Sequence, residues 1–321
     1  ISEMGSNLIM VMPASQRQGG VNIGATASKR LTVEDADALR EKSQYLAAVS
    51  PTVNSSGQLI NGSYNWPTSI QGGNTDFFEI RKYTIKSGIP FTEYDVRTAA
   101  KVCIVGQTVI DNLFPDGESP IGKSIRFKNI PLKIIGVLES KGQNSMGQDQ
   151  DDVVIAPYTT VQKRILAITH VNGIVASAES EQVADLAAAE VQTILREQHK
   201  LKAGTENDFR VHTMQEILDT MGSVTGMLTL LLAAVASISL VVGGIGIMNI
   251  MYVTVTERTK EIGLRMSIGA QNQDILMQFL AESTILSLIG GLIGIVFGLI
   301  LSYAASSLLN WPFIVSTTAV V

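Results

Sequence analysis

Gly117, four further residues and then Gly122-Lys123-Ser124 satisfy the phosphate-loop spacing G-x-x-x-x-G-K-[ST]. In a working loop of that kind the backbone amides and the lysine cradle phosphates, a buried strand leads in and a helix N-terminus leads out. The flanks here predict the opposite order. Leu113-Phe114-Pro115-Asp116 closes a helix before the loop, and Ile125-Arg126-Phe127 favours a strand after it. Pro120 also removes one amide from the would-be cradle. Other chemistry-bearing residues are scattered. His170, His199 and His212 have no metal-ligand spacing. Asp149, Asp151 and Asp152 cluster without the calcium-loop spacing or its closing Glu, which predicts a solvated loop. Cys103, the sole cysteine, excludes an internal disulfide and has no sequence-adjacent His. The chain is therefore read as non-catalytic by itself, with no metal or cofactor of its own.

The elements around these residues divide the chain in two. No charged side chain occurs from Thr220 to Thr256, or from Ser283 to Val321. Each run exceeds the ~20 residues that cross a bilayer as a helix, and backbone amides in lipid must satisfy one another. Two transmembrane helices are expected, at about 227–253 and 283–308, in a segment 224–321. The stretch before Thr220 carries 21 Lys+Arg against 25 Asp+Glu, so no basic face for nucleic acid is implied.

Residues 1–223 read as a soluble α+β domain. Strands are expected at Leu8–Met12, Val49–Val53, Ser69–Ile70 and Val153–Ile155, with breaks at Asn54–Gly57 and Asn61–Asn65. Ser124–Phe127 and Leu132–Leu138 suggest a hairpin turning near Asn129-Ile130-Pro131. Thr32 and Asp35 have capping-box spacing ahead of a helix with Val33, Ala36, Ala38 and Leu39 on its apolar side. Thr108–Leu113 predicts a second helix. Glu181–Gln198 predicts a third, with Val183, Leu186, Ala187, Val191, Ile194 and Leu195 inward. Gly19–Lys29 and Lys141–Asp152 read as polar loops.

Three patterns concern transmission and packing. Met214, Ile217, Leu218 and Met221 form one helical stripe leading into the first span, a candidate stalk. Gly290, Gly294 and Gly298 share one face of the second span, and Gly243, Gly244 and Gly246 cluster in the first. Such spacing lets helices approach closely, within a bundle or a dimer. Between the spans, 257–282 mixes Glu257, Arg258, Lys260, Glu261, Arg265 and Asp274 with Ile262, Leu264, Met266 and Ile268. It predicts a short surface helix that offers apolar side chains to a partner.

The run Val241-Val242-Gly243-Gly244-Ile245-Gly246-Ile247-Met248-Asn249-Ile250-Met251, then Val255-Thr256-Glu257-Arg258-Thr259-Lys260-Glu261-Ile262-Gly263-Leu264-Arg265 and Ile268-Gly269-Ala270, closely resembles the MacB-type permeases of ABC transporters. That group includes FtsX-like and lipoprotein-releasing permeases. Ile1-Ser2-Glu3-Met4-Gly5-Ser6-Asn7, Ser119 to Ile125 and Ile134 to Leu138 resemble its periplasmic domain.

The resemblance implies a porter-like periplasmic lobe with a second lobe inserted at roughly 76–164, followed by an FtsX-like permease region. It implies four membrane helices in the family, of which the first and fourth are missing here. Ile1 and the apolar Ala319-Val320-Val321 end fit a truncation at both ends. It further implies mechanotransmission: ATP and Mg bind a fused or separate nucleotide-binding ATPase, and Glu257, Arg258, Lys260, Glu261, Ile262, Leu264 and Arg265 couple to it. Expected partners are a second copy in a homodimer or a related permease, a periplasmic adaptor, a TolC-like outer-membrane channel and the lipid bilayer. Localisation would be the bacterial inner membrane with the large domain in the periplasm, and the cargo macrolide-like drugs or peptides. Lipoprotein release, or FtsX-like regulation of a cell-wall hydrolase, are the alternatives.

Overall fold

The computed structural model describes residues 7–14, 17–18, 21–22, 30–143 and 149–309. Most of the expected Gly19–Lys29 loop and the middle of Lys141–Asp152 lie outside them. Contacts divide the chain into a first unit ending at Met221 and a second beginning at Gly222.

The first unit opens with β1 (Leu8–Pro13) and two-residue strands β2 (Arg17–Gln18) and β3 (Val21–Asn22). Helix α1 (Val33–Lys42) leads to the hairpin β4 (Leu46–Asn61) and β5 (Tyr64–Gly73). Then come α2 (Phe77–Ile80), β6 (Ile85–Gly88), α3 (Glu93–Thr98), β7 (Val102–Val105), α4 (Gln107–Leu113), β8 (Ser124–Phe127), β9 (Ile130–Leu138) and β10 (Val154–Pro157). After α5 (Tyr158–Thr160) and a π-helical turn, β11 (Gly173–Ala178), α6 (Ala184–Gln198) and β12 (Phe209–Thr213) complete the unit.

The main sheet runs β12-β1-β11-β4-β5-β10-β7-β9-β6, with β8 against β4 and β9. Strand β4 belongs to both halves. Its residues 46–52 pair antiparallel with β11, and Val53–Asn61 pair with β5. The hairpin before residue 76 is therefore already part of the mixed half of the sheet. No break occurs at Asn54–Gly57. Those residues pair with Thr68–Gln71 without interruption. Cross-strand pairing outweighs their weak strand propensity. Gly57 is required by packing, because a Cβ there would stand 2.9 Å from the buried Phe127 ring.

The β8–β9 turn is Lys128-Asn129, with Phe127 opposite Ile130, one residue earlier than the sequence suggests. Lys128 supplies the positive φ that closes it.

Helix α1 begins with the predicted capping box: the Thr32 amide donates to Asp35 Oδ2 at 2.8 Å. Helices α1 and α6 cover one sheet face, where Leu31, Ala36, Leu39, Val191 and Leu195 bury against Ile9, Val11, Val49 and Ile174. Leu186, expected inward, is exposed. Ala184, Ala187, Val191, Ile194 and Leu195 make up the buried stripe without it.

The second unit is helical. Helix α7 (Met214–Glu257) starts in the first unit and continues without interruption through the charge-free run. Helix α8 (Thr259–Ser267) follows, then α9 (Asn272–Leu309). Both α7 and α9 are long and apolar enough to cross a membrane. Segment 257–282 is only partly a loop between spans. Residues 272–282 are the first three turns of α9, opened by Gln271 donating its amide to Asp274 Oδ2. Gly269, at φ 103°, ends α8 in a conformation that L side chains disfavour.

Candidate functional site

The phosphate-loop match sits in the wrong frame for phosphate. Helix α4 ends before it and β8 starts at Ser124, so the turn leads into a strand and not into a helix N-terminus. The Gly122 amide donates to the Ile134 carbonyl at 2.8 Å, which commits it to the sheet. Gly117 and Gly122 serve positive φ angles of 73° and 86°. Lys123 pairs with Glu118 and stands 5.6 Å over the Phe114 ring.

The aspartates organise backbone. Asp151 accepts from the amides of Lys141 and Gly142 at 2.8 and 3.0 Å, and from the Ser140 hydroxyl. Burial tends to raise its pKa, but these donors and the nearby Lys141 charge hold it below the usual value. Asp152 accepts from Trp66 Nε1 at 3.0 Å, and Asp149 from the Thr108 hydroxyl at 2.6 Å. Cys103 is fully buried, and burial pushes its thiol pKa up. No His/Cys/Asp/Glu group able to hold a metal occurs among the described residues.

His199 forms a constellation that the sequence does not announce. Its Nδ1 lies 2.8 and 2.9 Å from the two Asp208 carboxylate oxygens. Its Nε2 is 3.2 Å from Asp35 Oδ2, at ion-pair distance but outside hydrogen-bond geometry. The three groups join the start of α1, the end of α6 and the approach to β12 in a buried cluster.

At the other end of β12, Thr213 and Glu216 form a further capping box. The Glu216 amide donates to Thr213 Oγ1 at 3.2 Å, and the Thr213 amide to Glu216 Oε2 at 3.3 Å. This box starts α7. Met214, Ile217 and Leu218 of the predicted stripe are half-buried, while Met221 is exposed.

Helix α8 carries most of the predicted cluster, while Glu257 is the last residue of α7 and Arg258 precedes α8. Arg265 donates to Glu261 Oε1 at 2.5 Å and to Gln278 Oε1 at 2.8 Å, so one guanidinium ties α8 to α9. Leu264, Met266 and Ile268 are exposed, with Ile268 at 81%. Glu257, Arg258 and Lys260 are exposed beside them. A Cβ added at Gly243, Gly244, Gly246, Gly290, Gly294 or Gly298 would meet nothing within 4 Å. All six therefore have room for another helix.

An α/β domain followed by two helices long and apolar enough to cross a membrane, with a short charged helix between them, has the organisation of a membrane protein with a large domain outside the lipid. Residues 1–194 match the model of the MacB-like periplasmic core domain, and 233–321 that of the FtsX-like permease C-terminal region. The macrolide export ATP-binding/permease protein MacB of Syntrophobacter fumaroxidans is 38% identical over 374 residues, covering 100% of this chain and 52% of that protein. The corresponding protein of Bdellovibrio bacteriovorus is 37% identical over 324 residues, covering 100% and 49%. The chain thus spans about half the length of these curated relatives. The crystal structure of the periplasmic region of MacB from Actinobacillus actinomycetemcomitans shares the fold, with a TM-score of 0.56 at 23% identity, covering 68% of this chain and 94% of that one. The chain belongs to the MacB-type ABC-transporter permeases.

Proposed function

We propose that the chain is the permease portion of an exporter in the inner membrane, moving periplasmic cargo such as macrolide-like drugs or peptides at the expense of cytoplasmic ATP. A nucleotide-binding domain or subunit supplies ATP and Mg binding. The observation that carries the reading is α8: a short charged helix with Leu264 and Ile268 exposed at the end of an apolar helix. It has the character of a surface that rests on a partner. Two such chains would pack through the glycine faces of α7 and α9. The periplasmic lobes would engage an adaptor and, through it, an outer-membrane channel.

In this mechanism the chain catalyses nothing. The ATPase partner moves α8, and α7 carries the displacement. Its 44 residues amount to about 66 Å of helix, well over the ~30 Å hydrocarbon thickness. The surplus suits a stalk through Met214, Ile217, Leu218 and Met221 into the periplasmic domain. The ATP-bound state need only favour one of two arrangements of that domain.

Replacing Glu261 with Lys tests the coupling. It breaks the Glu261–Arg265 pair on an exposed surface, so the fold should survive. In the assembled transporter the variant should hydrolyse ATP while cargo export falls at least tenfold. Export at the native rate would remove α8 from the coupling role. ATP-dependent activation of a periplasmic hydrolase, with no export by the native chain, would replace export with regulation.

A further inference from the structure

Strand β1 alternates: Ile9 and Val11 enter the core, while Met10 and Met12 lie on the opposite face. Strand β12 runs antiparallel beside it, and the register sets His212 directly opposite Met10. Opposed side chains in such a pair have Cβ atoms roughly 4.5–5.5 Å apart. Two thioethers and one imidazole are therefore neighbours on a single patch. The same three residues line an open cleft of about 800 Å³ whose other wall includes Glu216, Ile217 and Met221 at the start of α7.

Glu216 completes the arrangement. The Thr213 capping box fixes its position, and its Oε2 then lies 3.7 Å from His212 Nδ1. A carboxylate facing Nδ1 favours the proton on that nitrogen and leaves Nε2 with its lone pair. Packing alone does not call for sulfur here. Leu8 serves the same sheet face without it, and Met12 is 48% exposed. Neutral thioethers with an imidazole are a soft donor set. They suit Cu(I), whereas Mg²⁺ and Ca²⁺ require oxygen ligands.

We propose that Met10, Met12 and His212 bind a monovalent soft metal ion, Cu(I), through two Sδ atoms and Nε2, with Met221 contributing a further thioether across the cleft. Ligation of this kind links β1 and β12 to the first turns of α7. The site stands independently of the export reading, because it requires neither ATP nor a partner.

The test is a Cu(I) titration of the full chain in detergent, under reducing anaerobic conditions, against a chromophoric Cu(I) chelator. The native chain should withhold one Cu(I) from the chelator. Met10→Leu and Met12→Leu, which conserve volume, should each weaken retention at least tenfold. Cys103→Ala should bind as the native chain does, because that thiol is buried. X-ray absorption at the copper edge should show mixed sulfur and nitrogen scattering, with the nitrogen contribution lost in His212→Phe. An unchanged thermal midpoint of the metal-free Met10→Leu/Met12→Leu chain establishes that the fold is intact. Failure of the native chain to retain Cu(I), or equal retention by that folded double variant, overturns the site.

Discussion

At the scale of single residues, the His199 cluster governs how the periplasmic domain responds to mutation and to pH. The side chains of His199, Asp35 and Asp208 are 1%, 5% and 3% exposed. Removing the ring leaves two buried carboxylates without their shared partner, a change that typically costs about 3–5 kcal/mol. The sign of the pH effect follows from the partners. The close Asp35 carboxylate, then hydrogen bonding to Asp208 and the charge of both, outweigh burial and raise the His199 pKa. Its stabilisation is complete below the unfolded value of about 6.5 and is lost as pH rises through the higher folded value. For Asp35, burial pulls upward, but His199 and Thr32 hold the pKa below the usual carboxylate range. Its contribution is present above that range and disappears only on acidification. The thermal midpoint of the native chain in detergent should therefore fall between pH 6 and pH 9. In His199→Leu it should be lower throughout, with that slope flattened. A native midpoint constant from pH 6 to 9 would mean that folding does not raise the His199 pKa. Only half of this cluster is legible in the sequence. The spacing of Thr32 and Asp35 marks a cap, but nothing local reveals that the same carboxylate faces a histidine from α6.

At the scale of elements, short-range rules locate most boundaries and fail where long-range pairing decides. The two membrane helices and the cap of α1 are local signals. The continuity of β4 is not, since Asn54-Ser55-Ser56-Gly57 has a turn-like composition. Only β5 alongside, and the Phe127 ring over Gly57, make it strand. The phosphate-loop pattern shows the converse, a local match that sheet registry diverts to another use. The glycine face of α9 allows a clean experiment because Gly294 looks onto open space. Gly294→Leu adds a side chain whose Cβ meets nothing within 4 Å among the described residues and removes a helix-weakening glycine, so the monomer should fold as before. Any consequence then reports on a partner helix. Cysteine cross-linking between two copies along α9 should drop several-fold, and export should drop with it. Native cross-linking and export in this variant would show that the glycine face carries no helix contact.

At the scale of the whole molecule, the proposed function requires the α/β domain and α8 to face opposite sides of one membrane. Charge alone does not decide this. The segment between the spans holds only three basic residues, and a long domain is translocated regardless of its charge. The single native cysteine makes the arrangement measurable, because Cys103 is buried with its thiol pKa raised and should stay silent toward maleimides. Tyr94 is exposed at 73%, and Lys260 is exposed on α8. Tyr94→Cys should react with a membrane-impermeant maleimide in intact spheroplasts. Lys260→Cys should react only after permeabilisation, and an assembled ATPase partner should slow it further by covering α8. Labelling of both positions from outside would place α8 beyond the reach of cytoplasmic ATP. That result would defeat the coupling mechanism even in a correctly folded permease. Labelling of Tyr94→Cys alone, with protection of Lys260→Cys by the ATPase, would put the charged helix where ATP hydrolysis can move it.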